Sequence, residues 1–361
     1  AILCYNGINK MILNIFKVFG LSAFAFFLAI SLTPILTHYL YKYQMWKKKA
    51  RNEALGGGET PIFNQLHKEK EVGTPRMGGI LIWASVLVVA LIFFLVSKIF
   101  PSEITSKLNF LSRGQTWLPL FTLVAASLVG LIDDFLQIRG GGSYVAGGLS
   151  LTKRIGIVVL IGLVGGWWFY SKLGIDSLII PFVGEVNLGI FLIPFFVLVM
   201  LAMFSGGVID GIDGLSGGIF AAIFSSYAGI AFFQNQIDLA AFCAVLVGGI
   251  LAFLWFNIPP ARFYMGETGI LGLTTALTVV AFLTKSVLAL IIISLPLLAT
   301  SASVIIQLIS KKYFGRKVFR VAPVHHHFEA MGWPAYKVTM RYWVISIVLA
   351  IIGMVIALVG K

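Results

Sequence analysis

The feature that most constrains this chain is a succession of apolar runs, each long enough to cross a lipid bilayer. A bilayer core needs about 20 helical residues, and hydrocarbon offers no water to satisfy backbone N–H and C=O groups. The sequence therefore predicts an all-α polytopic membrane protein with about ten transmembrane helices. The predicted spans are 12–40, 78–97, 117–135, 154–171, 189–208, 214–233, 239–256, 268–284, 286–309 and 340–359.

Composition supports one membrane-embedded unit. Hydrophobic residues make up 59% and charged residues 11% of the chain, whereas about a quarter of the residues are charged in soluble proteins. The longest polar gap, 41–77, includes a glycine-rich stretch and is too short for a separate globular domain. We predict a tail at 1–11 and a single membrane domain at 12–361.

The placement of positive charge predicts how the helices cross the membrane. The gaps after the first, third, fifth, seventh and ninth spans, with their flanks, hold nineteen of the twenty-seven Lys and Arg residues. Cytoplasmic loops carry such an excess, so these gaps are expected in the cytoplasm and both termini outside. The net charge of +13 then reflects topology, and no nucleic-acid partner is expected. The outer gap 173–189 favours a short periplasmic β-hairpin.

Five unusual polar motifs all fall on the predicted cytoplasmic side. They are spread over some 270 residues, yet this topology brings them to one membrane face, where they could line one site. The motifs are HKEKEVGTPRMGG (67–79), LIDDFLQ (131–137), VIDGIDGLSGG (208–218), WFNIPPARFYMGETG (255–269) and VAPVHHHFEAMGWP (321–334).

Two adjacent carboxylates, Asp133 and Asp134, end an apolar span. Carboxylates next to hydrocarbon are costly unless they are paired, hydrated or bound to a metal. Neighbouring helical residues point about 100° apart, so the two are expected to have different roles. The alternative is that both only solvate the membrane interface.

The second acidic motif, DGIDG, places Asp210 and Asp213 three residues apart among glycines. Such carboxylates can bind Mg²⁺ or accept hydrogen bonds from a sugar or base, or they can cap helices around a tight turn. In the next motif, Asn257 offers an amide that can read a nucleobase edge, Tyr264 a ring for stacking, and Glu267 another carboxylate. A helix cap at Asn257 and an interfacial role for Tyr264 are the alternatives.

Three of the five histidines are consecutive, at 325–327. Zinc ligands on a helix are usually three or four residues apart, so phosphate binding or proton handling is the better interpretation, with an ordinary surface loop as the alternative. Lys68, Lys70 and Arg76 surround a flexible GTPRMGG stretch and suit a phosphate clamp, although basic loops also simply set topology.

Carboxylates, an amide, an aromatic ring, histidines and lysines at one membrane face indicate Mg²⁺-assisted phosphoryl transfer between a soluble anionic substrate and a lipid. At this point the sequence resembles the polyprenyl-phosphate N-acetylhexosamine-1-phosphate transferases, and among them the phospho-N-acetylmuramoyl-pentapeptide transferase family. The motifs GTPRMGG, LIDD, DGIDGL, FLWFNIPPARFYMGETG and FRVAPVHHHFEAMGWP carry the resemblance in order between about residues 60 and 350, and PVHHHFE favours this branch.

The resemblance implies a transferase domain at 12–361 in the bacterial cytoplasmic membrane. Its reaction moves phospho-MurNAc-pentapeptide from UDP-MurNAc-pentapeptide to undecaprenyl phosphate, giving lipid I and UMP, with Mg²⁺ as cofactor and a homodimer as the assembly. Asp133, Asp134, Glu267, His325 and His326 are the implied catalytic residues, with Glu267 and Asp133 at the metal. The implied substrate-binding residues are Lys70, Asp210, Gly211, Ile212, Asp213, Asn257, Tyr264 and His327.

Three positions depart from the family pattern. Gln137 stands where a lysine is usual, the run Gly207, Val208, Ile209 replaces an Asn-Leu-Thr type, and Glu267 replaces an aspartate. Arg139, Lys153 or Arg154 could supply the missing lysine's charge. The alternatives are a sibling enzyme that uses UDP-GlcNAc and, from a different class, an anion transporter, although the sequence shows no repeated halves of the kind transporters often have.

Overall fold

A computed structural model describes residues 10–48, 72–112, 114–140 and 148–360. Helices dominate this part of the chain, as predicted. They are α1 (Leu21–Lys42), α2 (Ile80–Ile99), α3 (Glu103–Leu108), α4 (Trp117–Arg139), α5 (Leu151–Ser171), α6 (Leu192–Ser205), α7 (Leu215–Phe233), α8 (Ile237–Asn257), α9 (Gly266–Leu283), α10 (Val287–Ile293), α11 (Leu295–Phe314), α12 (Val324–Ala330) and α13 (Ala335–Val359).

The number of spans agrees with the prediction. Within the described ranges, nine helical segments are long and apolar enough to cross a membrane, the first running from Lys10 to Lys42 because a π-helical turn extends α1. The tenth is α10 with α11, which bend by 75°. The sequence predicted this region as one continuous span, 286–309. Pro296, in the first turn of α11, cannot donate to the preceding turn, and Ser294 separates the two helices.

The predicted hairpin is present between α5 and α6. Strands β1 (Ser177–Ile180) and β2 (Gly184–Asn187) pair antiparallel, with Ser177 opposite Asn187. Lys285, just after α9, donates to Glu185 at 2.9 Å. The hairpin therefore lies beside the C-terminal end of α9, and we call this the hairpin end of the bundle.

Helix α9 forms the centre of the bundle, because 94% of the residues in its apolar stretch are buried. Its closest neighbour is α4, and glycines set that approach. A Cβ atom at Gly130 would collide with the backbone of Glu267, and one at Gly272 would collide with Ser127 and Leu123. Small residues let membrane helices come together in this way. The C-terminal part of α4 is thereby held against the first turn of α9.

The opposite end of the bundle collects the polar motifs. Here α4 and α8 end, α7 and α9 begin, and the short α12 packs nearby. We call this the acidic end, because several carboxylates of the described residues lie in it, among them Asp133, Asp134, Asp210, Asp213 and Glu267. Motifs separated by up to about 200 residues are adjacent here, as the sequence predicted from topology.

Candidate active site

Asp134 lies at the start of α9 and is completely buried. Its two carboxylate oxygens accept hydrogen bonds from the backbone N–H groups of Glu267, at 3.0 Å, and Thr268, at 2.9 Å. The first N–H groups of a helix have no partner within that helix, and an anion there is stabilised by the helix dipole. Asp134 on α4 is thus an N-terminal cap for α9, and it fixes the backbone of Glu267.

Asp133 points to a different set of partners, as expected for adjacent helical residues. Its carboxylate accepts hydrogen bonds from Gln137 Nε2 at 2.7 Å and from the backbone N–H of Leu149 at 2.5 Å. Arg154 Nη2 lies 2.9 Å from Asp133 Oδ2. Gln137, which stands where the resembled family usually has a lysine, therefore contacts Asp133 but brings no charge.

One guanidinium joins Asp133 to Glu267. Arg154 Nη1 lies 2.5 Å from Glu267 Oε1, while Nη2 of the same side chain contacts Asp133. Of the three cations considered from the sequence, Arg154 is thus the one seen to contact Asp133 and Glu267. Arg139 instead lies over the ring of Phe135 at 4.2 Å.

Asp133 and Glu267 are side chains of the type that Mg²⁺ takes as ligands. The ion commonly takes one or two protein carboxylates and completes its octahedron with water and phosphate oxygens. Asp133 and Glu267 both contact a single cationic group, so together they can hold one positive charge. The described residues contain no group of three or more histidine, cysteine or acidic side chains arranged for a metal, so a metal here would rely on substrate oxygens as well.

The DGIDG segment forms a turn between α6 and α7, after a short 3₁₀ helix at Gly206–Ile209. Asp210 accepts hydrogen bonds from Ser216 Oγ at 2.8 Å and from the backbone N–H of Gly266 at 3.2 Å. Burial raises the pKa of Asp210, and the Ser216 hydrogen bond opposes that rise. Asp213 accepts from the backbone N–H of Ala261 at 3.4 Å. Both aspartates therefore connect this turn to the loop before α9.

Two histidines of α12 close over the same turn. Side-chain atoms of His325 and His326 occupy the space that a Cβ atom at Gly211 would need, and both rings are buried. His326 Nδ1 lies 2.6 Å from Glu329 Oε2. Ile212 is buried next to Gly211, whereas His327 accepts the backbone N–H of Arg320 at 3.2 Å and is only partly buried.

Asn257 connects the two loops directly. Its Oδ1 accepts the backbone N–H of Gly214, and its Nδ2 donates to the carbonyl of Phe263, both at 2.9 Å. The residue is 2% exposed, and both of these hydrogen bonds go to residues outside its own helix. Asn257 therefore holds the DGIDG turn and the loop before α9 together. A contact between Asn257 and a nucleobase stays a prediction.

Tyr264 follows on the same loop, with its backbone bonded to the GTPRMGG segment. Its N–H donates to the carbonyl of Pro75, and its carbonyl accepts the N–H of Gly78, both at 2.8 Å. Burial, aided by nearby Asp213, raises the pKa of Tyr264 to about 12. The hydroxyl is therefore a protonated hydrogen-bond donor at neutral pH. Lys68 and Lys70 lie outside the described residues.

Sequence reasoning missed several residues that shape this site. Trp343 Nε1 donates to the carbonyl of Gly214 at 3.0 Å, and Thr339 Oγ1 donates to the carbonyl of Asp213 at 3.2 Å. Both come from α13, 126 residues or more away along the chain. Gly130, which lets α4 approach α9, was also missed. The sequence did carry a local signal for it, because it is a small residue in an apolar run three positions before Asp133.

Known proteins resemble this chain over most of its length. The family model for glycosyl transferase family 4 matches residues 116–285. A phospho-N-acetylmuramoyl-pentapeptide-transferase of Geobacillus sp. (strain WCH70) is 36% identical, over 80% of this chain and 85% of that protein. The protein of the same name from Listeria innocua is 32% identical over 96% and 100%, and that from Pelagibacter ubique 31% identical over 97% and 98%.

These matches decide between the classes of function considered from the sequence. The relatives are transferases, so the transporter hypothesis is not supported. The relatives are bacterial, and the apolar helices of the described residues make the protein a polytopic membrane protein. The chain belongs to the phospho-N-acetylmuramoyl-pentapeptide-transferase family of phosphoglycosyl transferases.

Proposed function

We propose that the protein transfers phospho-MurNAc-pentapeptide from UDP-MurNAc-pentapeptide to undecaprenyl phosphate in a Mg²⁺-dependent reaction, releasing UMP. The observation that carries this proposal is the joining of Asp133 and Glu267 through Arg154 at the end of the bundle where the loops converge. The relatives bear the name phospho-N-acetylmuramoyl-pentapeptide-transferase, which agrees with this proposal.

The proposed division of work among the residues follows from their contacts. Glu267 and Asp133 would hold Mg²⁺, which when bound neutralises charge on the diphosphate of the donor. Arg154 balances the charge of both carboxylates. Asp134 acts as a positioning residue, because it fixes the first turn of α9 and hence Glu267.

The lipid phosphate needs little help to become a nucleophile. A phosphate monoester has a second pKa near 6 by analogy with phosphorylated side chains, so it is largely ionised at neutral pH. Neither aspartate has to act as a strong base in this proposal. Lys70, Asp210, Gly211, Ile212, Asp213, Asn257, Tyr264 and His327 are proposed to bind the nucleotide side, and His325 and His326 the sugar-phosphate.

The deciding experiment is an assay of UMP release by the purified protein. Undecaprenyl phosphate is supplied with UDP-MurNAc-pentapeptide or with UDP-GlcNAc, each with and without Mg²⁺. We expect release only with the first donor and with Mg²⁺. Release with UDP-GlcNAc alone would assign the protein to the sibling activity, and release in chelator would remove the metal from the proposal.

We also propose that the acidic end faces the cytoplasm of the bacterial cell, as the charge distribution predicts. Single cysteines at Val318 and Val183, both well exposed at opposite ends, test this in a background with Cys4 replaced by serine. Membrane-impermeant reagents should label Val183→Cys in intact cells and Val318→Cys only after lysis. The reverse pattern would invert the topology. A homodimer stays a prediction.

A further inference from the structure

Arg76 lies in the GTPRMGG segment, which is fixed against the loop before α9. Three backbone hydrogen bonds join the two: Tyr264 N–H to Pro75 at 2.8 Å, Gly78 N–H to Tyr264 at 2.8 Å and Gly79 N–H to Met265 at 2.9 Å. Cβ atoms at Gly78 and Gly79 would collide with this loop and with Gly269, so the segments are in direct contact. The backbone of Arg76 is thereby held at the acidic end.

The side chain of Arg76 has acidic neighbours but no ion-pair partner among the described residues. It interacts electrostatically with Asp134, Asp210 and Tyr264. The described ion pairs do not include it, and its Nε atom is buried without an acceptor in the described part of the chain. A buried guanidinium nitrogen without an acceptor is costly. The residue thus holds a cation near the acidic groups, and its buried Nε has no acceptor among the described residues.

The backbone at the start of α9 cannot serve an incoming phosphate. Helix N-termini commonly bind phosphates through their first N–H groups. Here those of Gly266, Glu267 and Thr268 already donate to Asp210 and Asp134. A phosphate at this place therefore needs side-chain donors. A guanidinium presents five of them in a fork that matches phosphate oxygens.

We propose that Arg76 binds the diphosphate of the nucleotide donor. This rests on the proposed function and adds Arg76 to the residues assigned to the nucleotide donor. The competing explanation is that Arg76 only offsets the charge of Asp134 and Asp210. In that case Arg76 would support folding and the acidic end as a whole, and it would not distinguish between nucleotides with and without phosphate.

Binding of UDP, UMP and uridine at fixed Mg²⁺ separates the two explanations. UDP and UMP are titrated directly, and uridine is measured by its competition with UDP. For Arg76→Gln we expect UDP and UMP to bind about 10- to 100-fold more weakly, the range for one lost charged hydrogen bond, with uridine unchanged. Arg76→Lys should fall between, because lysine keeps the charge but loses the fork.

Arg262→Gln is the matched control. Arg262 is an exposed cation at the same end, placed over the ring of Phe256, so this variant also removes one positive charge. Its UDP affinity should stay near wild type. If Arg76→Gln and Arg262→Gln weakened UDP binding equally, the assignment would be overturned. The same holds if Arg76→Gln and Arg76→Lys lost uridine binding as much as UDP binding. If the wild-type protein binds neither UDP nor UMP, the proposed function fails, and this inference with it.

Discussion

The two ends of the bundle neutralise their charges in different ways. At the hairpin end, each carboxylate in a described ion pair has a lysine of its own: Lys17–Asp238, Lys107–Glu103 and Lys285–Glu185. At the acidic end, Asp133 and Glu267 share one arginine, while backbone N–H groups and a hydroxyl hold Asp134 and Asp210. These four carboxylates of the acidic end are therefore held by a shared cation or by uncharged groups.

This difference indicates that the acidic end is not arranged for stability. Exposed ion pairs such as Lys285–Glu185 contribute about 0–1 kcal/mol, and a buried charge is costly unless it is well paired. A chain selected only for folding would gain little by concentrating buried carboxylates where two of them share one arginine. An end that binds a metal and a diphosphate gains from it, and each of the following predictions tests that contrast.

The largest expected effect comes from Glu267→Gln. Loss of this charge should lower turnover about 10²- to 10³-fold, the range for removing one preorganised electrostatic contact. Glu267→Asp should keep part of the activity with a raised Mg²⁺ requirement, because it keeps the charge. Rates of UMP release across a Mg²⁺ titration measure both effects.

Glu185→Gln is the control at the hairpin end, since it also removes an ion-paired glutamate. Its turnover should match wild type. Normal Mg²⁺-dependent activity in Glu267→Gln would move the metal to other carboxylates, with Asp210 and Asp213 as the next candidates.

Asp133→Asn and Asp134→Asn should each be severely impaired in UMP release while the protein still folds.

The second prediction compares the cations of the two ends. Arg154→Gln leaves Asp133 and Glu267 without their shared partner, and removing one member of a buried pair typically costs about 3–5 kcal/mol. Lys285→Gln breaks an exposed pair and should cost about 1 kcal/mol or less. Denaturation of the purified variants in one detergent measures both. Similar losses in the two variants would show that the acidic end is an ordinary structural cluster.

The sequence predicted those features that depend on local pattern. Hydropathy predicted the number of spans, and β-branched residues between Gly and Pro predicted the hairpin. The 100° step of a helix predicted different partners for Asp133 and Asp134. It left Arg154 as one of three candidates, because the choice depends on how the start of α5 packs against α4. The bend near Ser294 and the contact between Asn257 and Gly214 were not predicted, since both arise from packing between distant segments.

The third prediction concerns Asn257. Asn257→Ala should weaken UDP binding about 5- to 150-fold, corresponding to the 1–3 kcal/mol cost of losing a buried hydrogen-bond partner, and should affect undecaprenyl phosphate far less. Asn187→Ala is the hairpin-end control, because Asn187 also accepts a backbone N–H, that of Gly189. Titrations with each substrate provide the measurement. An unchanged UDP affinity would leave Asn257 with its structural role alone.

The smallest effect is expected for the stability of Asp210→Asn, and its sign separates function from folding. Burial raises the pKa of Asp210, so the folded state favours the protonated form, and ionisation at neutral pH lowers the free energy of unfolding. An asparagine can keep both contacts, accepting from Gly266 through its oxygen and donating to Ser216, whose hydroxyl can reverse.

We therefore expect Asp210→Asn to melt at a higher temperature than wild type at pH 7 while it loses UDP affinity. The stabilisation should shrink as the pH falls to and below the ordinary aspartate value of about 4, because below that value the carboxyl is protonated in both states and the two side chains carry the same charge. Thermal melts at several pH values measure this trend. Destabilisation at pH 7 would mean that Asp210 holds the turn through its charge, and the acidic end would then resemble the hairpin end in using its carboxylates for folding.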